Sequence, residues 1–262
     1  MKIKWLAITY LVIGSSMLCK SNPVVYIDRY LGRLGNQLFQ FCLGKILSKE
    51  LGIPFITPPI KGFPETYLHQ NEKTPRNGKS RELKGHVIKF NNILSKNTRR
   101  NIRLNGFFIR YEYYKNYTDD IKYWLRFDEE IGQQDPNDIV LHIRLNNPEG
   151  YLPFEYYEDA LATTTFNNVY ICTNAPEDPF IVKFEKYNPI IIKRPYLDDF
   201  KFITSFNKIA IAQSSFSWWA AFLSKAEEIY MPLPNKGYMS SERPDCQWKV
   251  EEERYHYIPC NY

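Results

Sequence analysis

Ile139-Val140-Leu141-His142-Ile143-Arg144 is the stretch on which the fold turns. Its run of apolar residues is broken only by His142, and it reads as a strand buried on both faces. Further apolar runs follow at 169–172, 190–192, 209–212 and 229–231. Helical patterns separate them at 154–162, 178–186, 198–206 and 216–224. Strands alternating with helices predict βαβ units and a parallel sheet covered on both faces. Upstream, 24–28 reads as a strand and 34–51 as a helix, stopped by Gly52-Ile53-Pro54. A second strand is expected at 55–57, a polar loop at 61–84, a strand-like stretch at 105–114 and a helix at 119–127. Gln133-Gln134-Asp135-Pro136-Asn137 is the best boundary between two halves. The expected division is a half at 24–132 and a half at 138–262, the latter ending in an irregular tail from Pro244.

The chain has 262 residues, enough for one large or two small domains. It is 44% hydrophobic and 16% aromatic, which supports a packed core and excludes a disordered chain. The aromatic content suits a carbohydrate-handling protein and an aromatic-rich core equally. The formal charge is +5, and removing Lys2, Lys4 and Lys20 leaves +2. No Lys/Arg stripe with interleaved aromatics is present, so no nucleic-acid partner is expected.

The N-terminus has a secretory layout. Met1-Lys2-Ile3-Lys4 is basic, and residues 5–19 are mostly apolar. A spanning helix needs about 20 residues, so 1–20 reads as a cleaved signal peptide or a short signal anchor. That places the protein in the secretory pathway, in the Golgi lumen or membrane, with membrane contact only through such an anchor. Cys42 and Cys172 fall in a predicted helix and strand and read as buried thiols. Cys246 and Cys260 could pair in an oxidising lumen or remain free. The cysteine spacings do not suggest zinc. Asn116-Tyr117-Thr118 is a glycosylation sequon.

Three segments carry candidate chemistry. The first is Gly32-Arg33-Leu34-Gly35-Asn36-Gln37-Leu38-Phe39-Gln40. Its glycines let amides approach a ligand, Arg33 offers a fork for phosphate oxygens, and Asn36 and Gln37 open a helix. It also reads as a plain glycine turn with solvated Arg33. It is neither a P-loop nor a G-x-G-x-x-G loop. In the second, His142 and Arg144 share one strand face at its C-terminal end. They are ligand contacts or a structural pair with buried partners. In the third, Gln213-Ser214-Ser215-Phe216-Ser217-Trp218-Trp219-Ala220-Ala221, the serines precede a helix. Serine hydroxyls beside the positive end of a helix suit a diphosphate, and also suit ordinary capping. Trp218 and Trp219 read as core. No Asp-x-Asp occurs, so no metal is expected at a donor diphosphate.

Together these segments resemble the family 11 glycosyltransferases, the α-1,2-fucosyltransferase-like enzymes. The first segment is similar to that family's Gly-Arg-Leu-Gly-Asn-Gln pattern, and 213–223 to its Asn-Ser-Ser-Phe-Ser-Trp-Trp-Gly-Ala segment. The stretch Leu104-Asn105-Gly106-Phe107-Phe108, with Tyr113-Tyr114, Ile121 and Phe127, resembles its middle region. The resemblance implies an α/β fold that is GT-B-like, with two Rossmann-type halves and parallel sheets. It implies inverting, metal-independent transfer of fucose from GDP-fucose to a hydroxyl of a glycan acceptor, with no cofactor. By position, Arg33 and Arg144 would be catalytic. Asn36, Gln37, His142, Asp199, Ser214 and Ser215 would bind the donor. In the family the second motif continues as His-x-Arg-Arg-Gly-Asp, and here it reads His142-Ile143-Arg144-Leu145-Asn146-Asn147. That departure leaves open another nucleotide sugar, or a catalytically silent sugar-binding protein. No base is named by the residues; Asp28, Glu112 and Asp119 are candidates by location. Acceptor contacts are expected from variable loops such as 61–84.

Overall fold

The computed structural model describes residues 22–70, 80–94, 100–145, 151–237, 239–240 and 242–260. The segment 1–20 read as a signal, and Asn146 and Asn147 of the divergent motif, lie outside the described residues. Among those described, no helix is long and apolar enough to cross a membrane.

Two sheets form, and every strand pairing in them is parallel. The first has the order β2 (Phe55–Ile56), β1 (Val25–Tyr26), β4 (Asn101–Asn105), β3 (Ser80–Lys84). The second has the order β10 (Tyr255–Cys260), β9 (Glu228–Pro234), β8 (Lys208–Ala210), β5 (Ile139–Ile143), β6 (Val169–Thr173), β7 (Ile190–Ile192). Parallel neighbours need crossovers, and helices supply most of them. α1 (Leu34–Leu51) crosses from β1 to β2, and α2 (Phe90–Leu94) from β3 to β4. α3 (Thr118–Trp124) leads from the first sheet toward the second, and residues 133–137 run on to β5. In the second sheet the crossovers are α4 (Phe154–Thr163), α5 (Pro179–Val182), α6 (Tyr196–Thr204) and α7 (Ser215–Leu223).

β5 is buried at all five positions, as its unbroken apolar run requires. α1 is buried along most of its length and ends at Gly52, whose φ of 63° closes the last turn in the left-handed conformation. One core runs through both sheets. Phe39 of α1 lies 4.9 Å from Trp218 and 4.8 Å from Trp219 of α7, ring centre to ring centre. Both tryptophans are fully buried, as their place on the helix implied.

Three readings are corrected. The stretch 61–84 is not loop throughout: a 3₁₀ turn spans Pro64–His69, and β3 begins at Ser80, while 71–79 lie outside the described residues. The strand expected at 105–114 is β4, which ends at Asn105; the chain then turns through short 3₁₀ segments. The tail is not irregular to its end, since β10 pairs with β9. The pairing considered for Cys246 and Cys260 is not formed; both are free thiols, and Cys42 and Cys172 are free and buried.

Candidate functional site

A cleft of about 690 Å³ opens at the carboxyl ends of the strands, where ligands bind in such sheets. Arg33, Asn36, Gln37, His142, Arg144, Asp199, Ser214 and Ser215 all line it. The structure thus gathers these eight residues read from the sequence into one place. Gly32, Leu34, Gly35, Cys172, Thr173, Asn174, Tyr196 and Phe216 complete the walls.

Two helices meet here at their N-termini. A Cβ built on Gly35 would sit 2.4 Å from the Ser215 carbonyl carbon and 2.6 Å from the Phe216 nitrogen. Glycine at 35 therefore lets the first turn of α1 touch the first turn of α7, backbone to backbone. Both helices point their positive ends into the cleft. Arg33 precedes α1 without capping it by its side chain, so the first amides of α1 remain available to a ligand. Ser214 caps α7 by accepting the Phe216 amide at 3.3 Å. The Arg144 guanidinium donates to the Ser214 hydroxyl at 3.3 Å, which fixes it beside the same helix end.

The loop before α1 is held by the last residue of the first motif, which carried no expected role. Gln40 is fully buried, accepts the Leu31 amide at 3.0 Å and donates to the Leu31 carbonyl at 2.8 Å. Gln37 donates to the Gly32 carbonyl at 3.2 Å. Gly32 itself has φ of 74°, a conformation that favours glycine.

Two other lining groups carry no positive charge. His142 is about 8% exposed, and its Nδ1 is buried with no hydrogen-bond partner. Burial, and then the neighbouring Arg144 charge, pushes its pKa down to about 3, so the imidazole is neutral at pH 7. Asp199, in the first turn of α6, accepts the Arg194 amide at 3.1 Å. Burial raises its pKa above the usual carboxylate value, against the opposing hydrogen bonds from Cys172 and Arg194. Burial likewise holds the Cys172 thiol protonated. Asp199 is the one carboxylate among the described lining residues, against two guanidinium groups. Two guanidinium groups against one carboxylate suit an anion.

Asp28, Glu112 and Asp119, the base candidates, do not line the cleft. Asp28 accepts from Arg103 at 2.6 Å, and Glu112 from Arg110 at 2.7 Å. Tyr196, 51% exposed on the rim, was missed, because one aromatic after a proline carries no motif.

Among solved structures, POFUT1 in complex with GDP-fucose is similar over 79% of this chain and 95% of its own, at 9% identity and a TM-score of 0.50. The chain shares that fold. E. coli heptosyltransferase WaaC with ADP is similar over 90% of this chain and 93% of its own, at 9% identity and a TM-score of 0.49. The expected α/β, GT-B-like fold with parallel sheets is the one observed. No protein-family model matches the sequence, and no curated protein matches it. The resemblance to family 11 therefore rests on the quoted motifs.

Proposed function

We propose that the chain is a glycosyltransferase that uses a nucleotide-sugar donor, with GDP-fucose as donor and a glycan hydroxyl as acceptor. The observation that carries this reading is the convergence of α1, α7, Arg33 and Arg144 on one cleft. Two positive helix ends and two guanidinium groups match the charge of a diphosphate. Asp199, beyond the phosphate end, offers a carboxylate to the donor N–H groups of a guanine edge. The POFUT1 structure, whose fold the chain shares, holds GDP-fucose.

In this mechanism the acceptor hydroxyl attacks the sugar's C1 in line. The new C–O bond forms as the bond from C1 to the β-phosphate oxygen breaks, which gives inversion. Negative charge grows on the departing phosphate, and Arg33, Arg144 and the helix amides stabilise it more in the transition state than in the ground state. With arginines in that role, the reaction proceeds without a metal. An α-1,2 linkage and a secretory-pathway location follow from the same family resemblance and from the N-terminal segment. The test is transfer from GDP-fucose to a glycan panel, with and without EDTA. Transfer that survives EDTA supports the reading; no transfer or hydrolysis of any GDP-sugar would overturn it.

A second reading keeps the scaffold and changes the donor sugar. Leu145 stands where the family has a second arginine, and it is buried in the core instead of facing the cleft. A panel of GDP- and UDP-sugars separates the two readings.

A further inference from the structure

α1 buries a long row of side chains, and Gln40 is the one amide among them. Phe39 and Phe41 on either side of it are fully buried as well. A buried amide costs free energy unless its polar atoms find partners, and a leucine at 40 would make no such demand. Packing alone therefore does not account for glutamine here.

Its partners all lie at the entrance to the helix. Oε1 accepts the Leu31 amide at 3.0 Å, and Nε2 donates to the Leu31 carbonyl at 2.8 Å. The other Nε2 proton goes to the Asn36 carbonyl, also at 2.8 Å. Both amide protons and the oxygen are thus engaged. One side chain holds both backbone polar groups of Leu31, as a neighbouring strand would. The grip spans nine residues of sequence and closes over the turn at Gly32. Gln37 holds the next residue of the same loop, through its bond to the Gly32 carbonyl.

Arg33 follows directly. It is exposed, its backbone is extended with φ of −92° and ψ of −176°, and its side chain makes no capping bond to α1. Its guanidinium is placed by the backbone that carries it. Arg144 is placed differently, since its own guanidinium reaches the Ser214 hydroxyl. Of the two arginines in the cleft, one is oriented through its side chain and the other through the loop behind it.

A residue that served only to hold the fold together would tie one element to another. The Gln40 bonds do not: they run to Leu31 and Asn36, in the loop and first turn of its own helix. What they fix is the course of the chain into Arg33. Gln40 itself does not line the cleft.

We propose that Gln40 is a positioning residue for donor binding: from behind the cleft it sets the 31–33 loop so that the Arg33 guanidinium meets the donor's diphosphate. This rests on the donor reading of the cleft. Gln40 acts through Arg33, so its contribution exists only while Arg33 is present.

The experiment is a double-mutant cycle on the full chain, read as GDP affinity by calorimetry. Gln40→Met keeps an unbranched side chain and removes all three bonds. It is expected to weaken GDP about tenfold in wild type and less than about twofold in Arg33→Ala. A purely structural role would cost the same factor in both backgrounds. Gln40→Glu, which keeps an oxygen for the Leu31 amide and loses both donors, is run through the same cycle. Thermal unfolding checks that each variant folds. A second readout needs neither variant nor nucleotide. In wild type the Leu31 amide should exchange with solvent about tenfold or more slowly than the Gly32 amide, as followed by NMR. The proposal is overturned if Leu31 exchanges as fast as Gly32, or if both variants leave GDP affinity unchanged. It is also overturned if their effect is as large without Arg33 as with it. A wild type that binds no GDP overturns the donor reading and this role with it. Equal losses in both backgrounds, in a protein that binds GDP, overturn this role alone.

Discussion

Arg144 follows the last residue of a fully buried strand, and its guanidinium lies on Ser214 beside the positive end of α7, where a donor diphosphate would meet it. Arg144→Ala is expected to lower turnover with GDP-fucose by about 10²–10³, by analogy with loss of one oxyanion-hole donor, as read by steady-state transfer assay. His142 makes a prediction of another kind. Its folded pKa of about 3 lies below the ordinary value of 6.5. As pH falls through that window, the unfolded chain takes up a proton that the folded chain refuses. Stability present above about pH 6.5 is therefore lost on acidification, by up to ~1.4 kcal/mol per pH unit from this group. Urea unfolding at pH 7 and pH 5 checks it: His142→Asn should lose less than wild type between the two.

At the scale of elements, the site is a contact between two helix ends, and Gly35 sets its closeness. Gly35→Ala places a methyl 2.4–2.6 Å from backbone atoms of Ser215 and Phe216, which cannot rotate away. Stability should fall by about 1–3 kcal/mol and GDP affinity at least tenfold, because the amides that meet the phosphates move apart. Gly52→Ala is the control. It has φ of 63° with nothing within 4 Å of a built Cβ, so it should cost about 1 kcal/mol and leave GDP affinity alone. The same elements show what the sequence makes legible. The bounds 34–51 of α1 could be read because a long apolar pattern ends at Gly52. The bounds of β5 and β7 could be read because each is a run of apolar residues, broken in β5 only by His142. β3, with the sequence Ser80-Arg81-Glu82-Leu83-Lys84, could not: it is an edge strand with one buried residue, and nothing in its composition marks a strand. β10 was hidden by Pro259 and its exposed positions, though pairing on one side with β9 holds it. The cleft was legible because each motif sits at a strand end.

Across the whole molecule, the two sheets share one apolar core, and Phe39 is where they join. Its ring meets Tyr114 at 5.4 Å as well as Trp218, Trp219 and Trp248. A shared core couples the unfolding of both sheets. Calorimetry should therefore show one transition, and Phe39→Ala should lower its stability by about 3–5 kcal/mol without splitting it. Two separate transitions in wild type would show that the sheets unfold independently.

On the proposed reading, guanidinium groups and helix ends, in place of a metal, hold a nucleotide diphosphate in this cleft. The direct measurement is calorimetric titration of GDP into the full chain in EDTA, with wild type and Arg144→Ala side by side. Wild type should bind GDP in EDTA, and Arg144→Ala should bind it at least tenfold more weakly. GDP binding that EDTA abolishes, or that Arg144→Ala leaves untouched, would contradict it.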